Sequence, residues 1–320
     1  MRSSAPARFY ISISIFDPPF ATIFCGRCPF VVRYTGPVNA RRLVLALGGG
    51  AAKGLAHVGI LRGLEEDGIE VDGVAGTSMG AIVGALYTRG MSAGEMAALF
   101  TAVDWARLGW IMARSPGGAA FRDLVRETIG TRRIEELETP YAAVCCDLTT
   151  GEEVVVREGS LEEAVRASSA IPGLLPPVIV GGRTLVDGAM VTPVPVEAAE
   201  SLSGEQLLAV NVLRLPVVPH PARPAVSRLL EAATPASILS RVEDLLGRHR
   251  RRLRDREPLP PNRIDVLMRS THVMQYNLSR LCDRSTGAIE PDLGRFGWFD
   301  FHLAAEIIEE GYRAYREFRG

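Results

Sequence analysis

From Arg41 onward, short apolar runs alternate with stretches in which apolar residues recur every three or four positions. Leu43-Val44-Leu45-Ala46-Leu47 is continuously apolar, the pattern of a strand covered on both faces. A helix is predicted over 55–67, because Leu55, Val58, Leu61 and Leu64 share a face and Gly68 follows. A second short strand is predicted over 71–75, and a second helix over 79–89 is stopped by Gly90. Ser92-Ala93-Gly94-Glu95 reads as a capping box opening a third helix, and Ser160-Leu161-Glu162-Glu163 repeats the device. Residues 141–146 and 207–213 are further buried-strand candidates, 178–186 reads as a hairpin around Gly181-Gly182, and a final amphipathic helix covers 303–318. This alternation predicts an α/β fold with a mostly parallel central sheet.

Two regions break the rhythm. Residues 216–261 are rich in Pro and Arg and read as an irregular insertion, with one helix opened by Thr234-Pro235 and striped by Ile238, Leu239, Val242, Leu245 and Leu246. Residues 1–40 hold a short apolar stretch interrupted by Asp17-Pro18-Pro19 and are read as an extension outside the fold, a targeting segment or a mis-set start. The globular domain is therefore expected over 41–320.

Composition narrows the class. Of 320 residues, 47% are hydrophobic and 23% charged, which is globular rather than disordered. The net charge of −1 offers no bulk attraction to nucleic acid. Five cysteines form no disulfide framework, and Cys25-Gly26-Arg27-Cys28 lacks the second half of a zinc site, so no metal or cofactor is expected. A reducing, cytoplasmic location is expected. The Ile238–Leu246 stripe and the Arg248–Arg256 run admit a peripheral contact with the inner membrane surface; an ordinary packed helix with a solvated Arg tail is the reading favoured over it.

The candidate chemistry begins at Gly48-Gly49-Gly50-Ala51-Ala52-Lys53-Gly54, a glycine-rich loop between a strand and a helix that contains the one lysine of the chain. It is not a phosphate-binding P-loop, because no Gly-Lys-Ser/Thr follows, and it breaks the dinucleotide fingerprint at Lys53. Gly76-Thr77-Ser78-Met79-Gly80 fits G-x-S-x-G at a strand-to-helix turn, the setting of a nucleophile elbow. A tight turn with a capping Ser78 is the competing reading. His57, His220, His249, His272 and His302 are each read as surface or core residues rather than as the base. Asp187 ends a strand before Gly188 and is placed to take a serine proton directly; an Asx-turn closing the hairpin competes with that role.

These three elements in this order resemble the patatin-like phospholipase family, particularly its bacterial branch. The stretches LVLALGGGAAKGLAHVGIL, VAGTSMGAIVGALY, VCCDLTTGEEVVVREGSLEEAVRASSAIPGLLPPV, GGRTLVDGAMVTPVPV and IEPDLGRFGWFD carry the likeness. The resemblance implies a three-layer α/β/α fold and a serine lipid acyl hydrolase acting on lipid or acyl-ester substrates. It implies Ser78 as nucleophile and Asp187 as base. Gly49, Gly50 and Ala51 are implied as oxyanion donors, with Gly48, Lys53, Gly54, Gly76, Gly80 and Gly188 supporting the loops. Ala51 stands where the family often has a third glycine. Two alternatives stay open: a non-catalytic lipid- or protein-binding regulator on the same fold, and a Ser-His-Asp triad esterase.

Overall fold

The computed structural model of the chain describes residues 42–202, 206–214, 263–280 and 287–320. The expected extension over 1–40, and the insertion over 216–261 with its helix and basic run, lie outside the described residues.

The chain runs β1 (Arg42–Leu47), α1 (Ala56–Glu66), β2 (Glu70–Thr77), α2 (Met79–Thr88) and α3 (Ala93–Ala102), then α4 (Trp105–Arg114) and α5 (Ala119–Ile129). β3 (Tyr141–Asp147), β4 (Glu153–Val156), α6 (Leu161–Ser168), β5 (Val178–Val180), β6 (Arg183–Asp187) and α7 (Val196–Glu200) follow. The described chain closes with β7 (Leu207–Val210), α8 (Arg263–Ser279), β8 (Gly287–Ile289) and α9 (Ala304–Arg319). The strand and helix expectations hold to within a few residues. The box at Ser92 forms, with both reciprocal bonds, whereas at Ser160 only the cap of the Glu163 N–H forms, at 3.2 Å.

The sheet has eight strands in the order β5-β6-β3-β2-β1-β7-β8, with β4 pairing on β3. The central β3-β2-β1-β7-β8 block is parallel, as expected of a mostly parallel sheet, and β4, β6 and β5 join antiparallel at one side. Alternate residues of β1 sort into two cores, as a twofold side-chain period demands. Leu43, Leu45 and Leu47 pack with residues of α1, α2, α3, α6 and α9; Val44 and Ala46 face the α7 side with Val194 and Ala199. This is a three-layer α/β/α arrangement.

One register detail places the chemistry. β2 pairs with β3 from Val74↔Tyr141 to Thr77↔Val144 and stops there. Cys145, the next residue of β3, pairs with Asp187. β4 holds the opposite edge of β3 across Ala143–Cys146. β6 therefore occupies the same edge that β2 has just left, and the end of one strand faces the end of the other.

The terminal helix α9 lies against α1 at backbone distance. A Cβ at Gly59 would overlap the Ile308 carbonyl, and one at Gly311 would overlap that of Ala56. Asp67, at the carboxyl end of α1 where the helix dipole disfavours an acid, is held charged by the Tyr315 hydroxyl and by Arg316 and Arg319 of α9. Gly311→Ala is expected to lower unfolding stability by about 1–3 kcal/mol or more, since backbone must move to admit the methyl. Gly94→Ala, on an open position of α3, is the control and is expected to leave stability unchanged or raised by up to about 1 kcal/mol in the same urea titration.

Candidate active site

Ser78 sits between the last residue of β2 and the first of α2, with φ 54° and ψ −120°. A side chain at positive φ costs about 1–3 kcal/mol and persists only where the surroundings over-determine it. Its side chain makes no helix-capping bond, so the capping reading of Ser78 does not hold. The turn closes because Gly80 has no Cβ: one there would overlap the Leu47 carbonyl at the end of β1. Gly76, on the other side of the turn, lies against the backbone of Ala81.

The Ser78 hydroxyl donates to Asp187 Oδ2 at 2.6 Å. Asp187 Oδ1 accepts the Ala189 N–H at 2.9 Å. One carboxylate oxygen thus closes the turn and the other faces the serine. Asp187 is 2% exposed, and burial raises its pKa to about 6 against the lowering effect of the Ser78 and Ala189 hydrogen bonds. Gly188 presses its Cα on the Val144 carbonyl, which is how the turn fits beside β3.

The glycine-rich loop is tied to the same turn. The chain beyond Asp187 passes beneath the elbow, where Thr77 Oγ1 donates to the Thr192 carbonyl at 3.0 Å. The Gly49 N–H donates to the Pro193 carbonyl at 2.9 Å, and the Gly48 N–H to Val210 of β7 at 3.0 Å. This corrects one expectation. Gly49 cannot offer its N–H while Pro193 holds it, although it lies beside Ser78, where a Cβ would come within 3.3 Å of that of Ser78. The Ala52 N–H is likewise spent on the Trp298 carbonyl. Among the described residues, the N–H groups of Gly50 and Ala51 have no backbone acceptor. Ala51 has φ 48°, the conformation that explains why glycine suits this position. Ala51 and Ser78 are the non-glycine residues with positive φ among those described.

Lys53 is fully buried in the 3₁₀ turn Ala51–Leu55 and donates to the Arg214 carbonyl at 2.8 Å. Desolvation lowers its pKa to about 8, and the negative charge of Asp300 partly offsets this. Its side chain lies inside the fold, away from solvent. Gly54 lies under the Met79 side chain.

No described histidine hydrogen-bonds to the serine. His57 is buried in α1, contacts the Gly48 carbonyl through Nε2 at 2.7 Å, and is kept neutral by burial with a pKa of about 4. It therefore supports the start of the glycine-rich loop, a role that its sequence position did not disclose. His272 of α8 lies against Trp298 with ring centroids 4.9 Å apart and the rings tilted by 38°, and His302 is exposed. His220 and His249 lie outside the described residues. Among the described residues no group of three or more His, Cys, Asp or Glu side chains could hold a metal ion. No helix among them is long and apolar enough to cross a membrane.

Comparison with known proteins identifies relatives of the chain. The profile of the family described as patatin-like phospholipase matches residues 45–200, a span containing the glycine-rich loop, the elbow and Asp187. An uncharacterized NTE family protein of Mycobacterium tuberculosis, Rv1063c, is 35% identical over 190 residues, covering 58% of this chain and 52% of that protein. A second from the same species, Rv2565, is 33% identical over 288 residues, covering 87% of this chain and 46% of that protein. Patatin-like phospholipase domain-containing protein 6 of Mus musculus is 34% identical over 188 residues, 55% of this chain and 14% of that protein. The chain thus spans about half the length of the curated relatives it matches first. With the three motifs, the fold and these matches in agreement, the chain belongs to the patatin-like phospholipase family.

Proposed function

We propose that the protein is a serine hydrolase of lipid acyl esters that works with a Ser78–Asp187 dyad. The observation that carries this reading is the 2.6 Å bond from Ser78 Oγ to a carboxylate that is buried and therefore more basic than usual. Ser78 attacks the ester carbonyl carbon as its proton passes to Asp187 Oδ2. The carbonyl oxygen becomes an oxyanion, and the N–H groups of Gly50 and Ala51 are its donors, each worth about 3 kcal/mol of barrier. The positive end of α2 lies under the elbow and adds to that stabilisation. Asp187 then protonates the departing alcohol. Water attacks the acyl-serine by the same route in reverse, returning the proton to Ser78.

A buried carboxylate suits this cycle better than an exposed one. Its raised pKa brings it nearer the pH at which it must both accept and return a proton. A histidine-based triad finds no support, because no described histidine bonds to Ser78. A binding-only role leaves the strained elbow and the serine–carboxylate bond without a use. The Lys53 ammonium, bonded to the Arg214 carbonyl, holds the loop that carries the two donors.

Purified Ser78→Ala and Asp187→Asn are each expected to lose at least about a thousandfold in kcat toward a short acyl ester while circular dichroism stays native. Full activity in Asp187→Asn would overturn the dyad. Activity requires ionised Asp187, so kcat/KM is expected to rise with pH through an apparent pKa near 6 and to be lost below it; a pH–rate profile of the wild type checks this. Ala51→Gly, which relieves a methyl at φ 48°, is expected to keep activity and to leave stability within about 1 kcal/mol of wild type, because the relief opposes the greater freedom of the unfolded chain.

A further inference from the structure

Three consecutive residues at the end of α6 grip both members of the dyad by their backbones. Ser168 Oγ accepts the Ser78 N–H at 2.9 Å and donates to the Val144 carbonyl at 2.6 Å. Ser169 Oγ donates to the Ser78 carbonyl at 3.3 Å. The Ala170 carbonyl accepts the Asp187 N–H at 3.0 Å. All three residues are buried, Ser168 completely.

The Ser168 hydroxyl has a defined orientation. The Ser78 N–H can only donate and the Val144 carbonyl can only accept, so the hydroxyl proton must point at Val144. It stands where the ladder between β2 and β3 ends. Thr77 is still paired with Val144, and one residue later Cys145 is paired with Asp187. Ser78 has turned out of the ladder, and its N–H reaches β3 only through this side chain. The hydroxyl thereby spaces the elbow from the strand against which Asp187 is registered, while Ala170 fixes Asp187 itself.

We propose that Ser168, with Ser169, is a positioning residue of the site: it sets the Ser78–Asp187 distance and holds Ser78 at its positive φ. This rests on the dyad reading above. Neither hydroxyl touches the reacting atoms, and no proton is exchanged through them.

The effect is separable from folding, because it acts on the ionisation of Asp187. A looser Ser78 Oγ contact removes a hydrogen bond that favours the carboxylate, so the acid limb of the profile must move to higher pH. The other groups facing Asp187 stay constant across that range. They are the Cys145 and Cys146 thiols of β3, both pushed up by burial, and the Ala189 N–H of its own turn. The α6 end presents neutral hydroxyls and the Ala170 carbonyl. His272, on the α8 helix that packs against the turn, is held neutral with a pKa of about 4.

The experiment compares Ser168→Ala, Ser168→Cys and Ser169→Ala with wild type and Ser78→Ala, using p-nitrophenyl butyrate from pH 4.5 to 9 with circular dichroism and melting on each. Ser168→Ala is expected to lose about tenfold to a hundredfold in kcat with KM within about threefold, and its acid limb to shift upward. Ser168→Cys, which keeps the shape and a weak donor, falls between; Ser169→Ala loses less than Ser168→Ala. Native kcat and an unmoved acid limb in folded Ser168→Ala overturn the proposal, as does a loss of kcat that merely tracks lost fold with the limb unmoved. If Ser168→Ala does not fold, Ser168→Cys and Ser169→Ala decide: wild-type kcat and acid limb in both overturn it. Retained activity in Ser78→Ala would instead remove the dyad reading, a result distinct from these.

Discussion

A serine backbone at φ 54° and ψ −120° is the constraint on which the site depends. It is unfavourable alone, so the fold must supply its stability from outside. Gly80 lets α2 approach the end of β1. Tyr141 donates to the Ala81 carbonyl in the first turn of α2 at 2.9 Å, and the end of α6 meets the Ser78 backbone on both its N–H and its carbonyl. Because Ser78 leaves the ladder, an edge of β3 is freed, and β6 enters that edge with Asp187 at its tip. Strain at the serine and placement of the carboxylate are therefore two results of one geometric choice.

The same economy appears around the glycine-rich loop. Its early N–H groups belong to the fold, bonded to Val210 and Pro193, and its Ala52 N–H belongs to the C-terminal segment through Trp298. The two between them are left without backbone acceptors. Lys53 below and His57 beside the loop are both buried, and desolvation moves each away from its usual ionisation. Neither carries the chemistry in the proposed cycle, yet both hold the segment that presents the donors.

Much of this was legible in the chain. Apolar runs gave β1, β2, β3 and β7, because a strand covered on both faces has no polar side to hide. Ser78 and Asp187 stood out as candidates at a strand-to-helix turn and a strand-to-glycine turn, and the family resemblance, not the local pattern, implied their roles. The parts that were not legible depend on distant partners. Nothing local shows that the Gly49 N–H is already taken, because its acceptor at Pro193 is far along the sequence. Nothing local singles out Ser168 and Ser169, since a hydroxyl's partner is decided by register between β2, β3 and β6. Strand β4 was missed for a related reason: it is short, and its antiparallel return follows a turn that apolar patterning alone does not distinguish.

The buried lysine has a consequence outside the reaction. Lys53 is the only lysine in 320 residues, and in the fold its side chain is sealed from solvent. The folded surface is therefore positive through arginine alone and presents no lysine ε-amine. Reagents and modifying enzymes that need a free lysine amine, whether for acylation, crosslinking or isopeptide attachment, have no target on the folded domain. Labelling at Lys53 would report opening of the glycine-rich loop, and one residue would thus serve as a built-in chemical gauge of the integrity of the site.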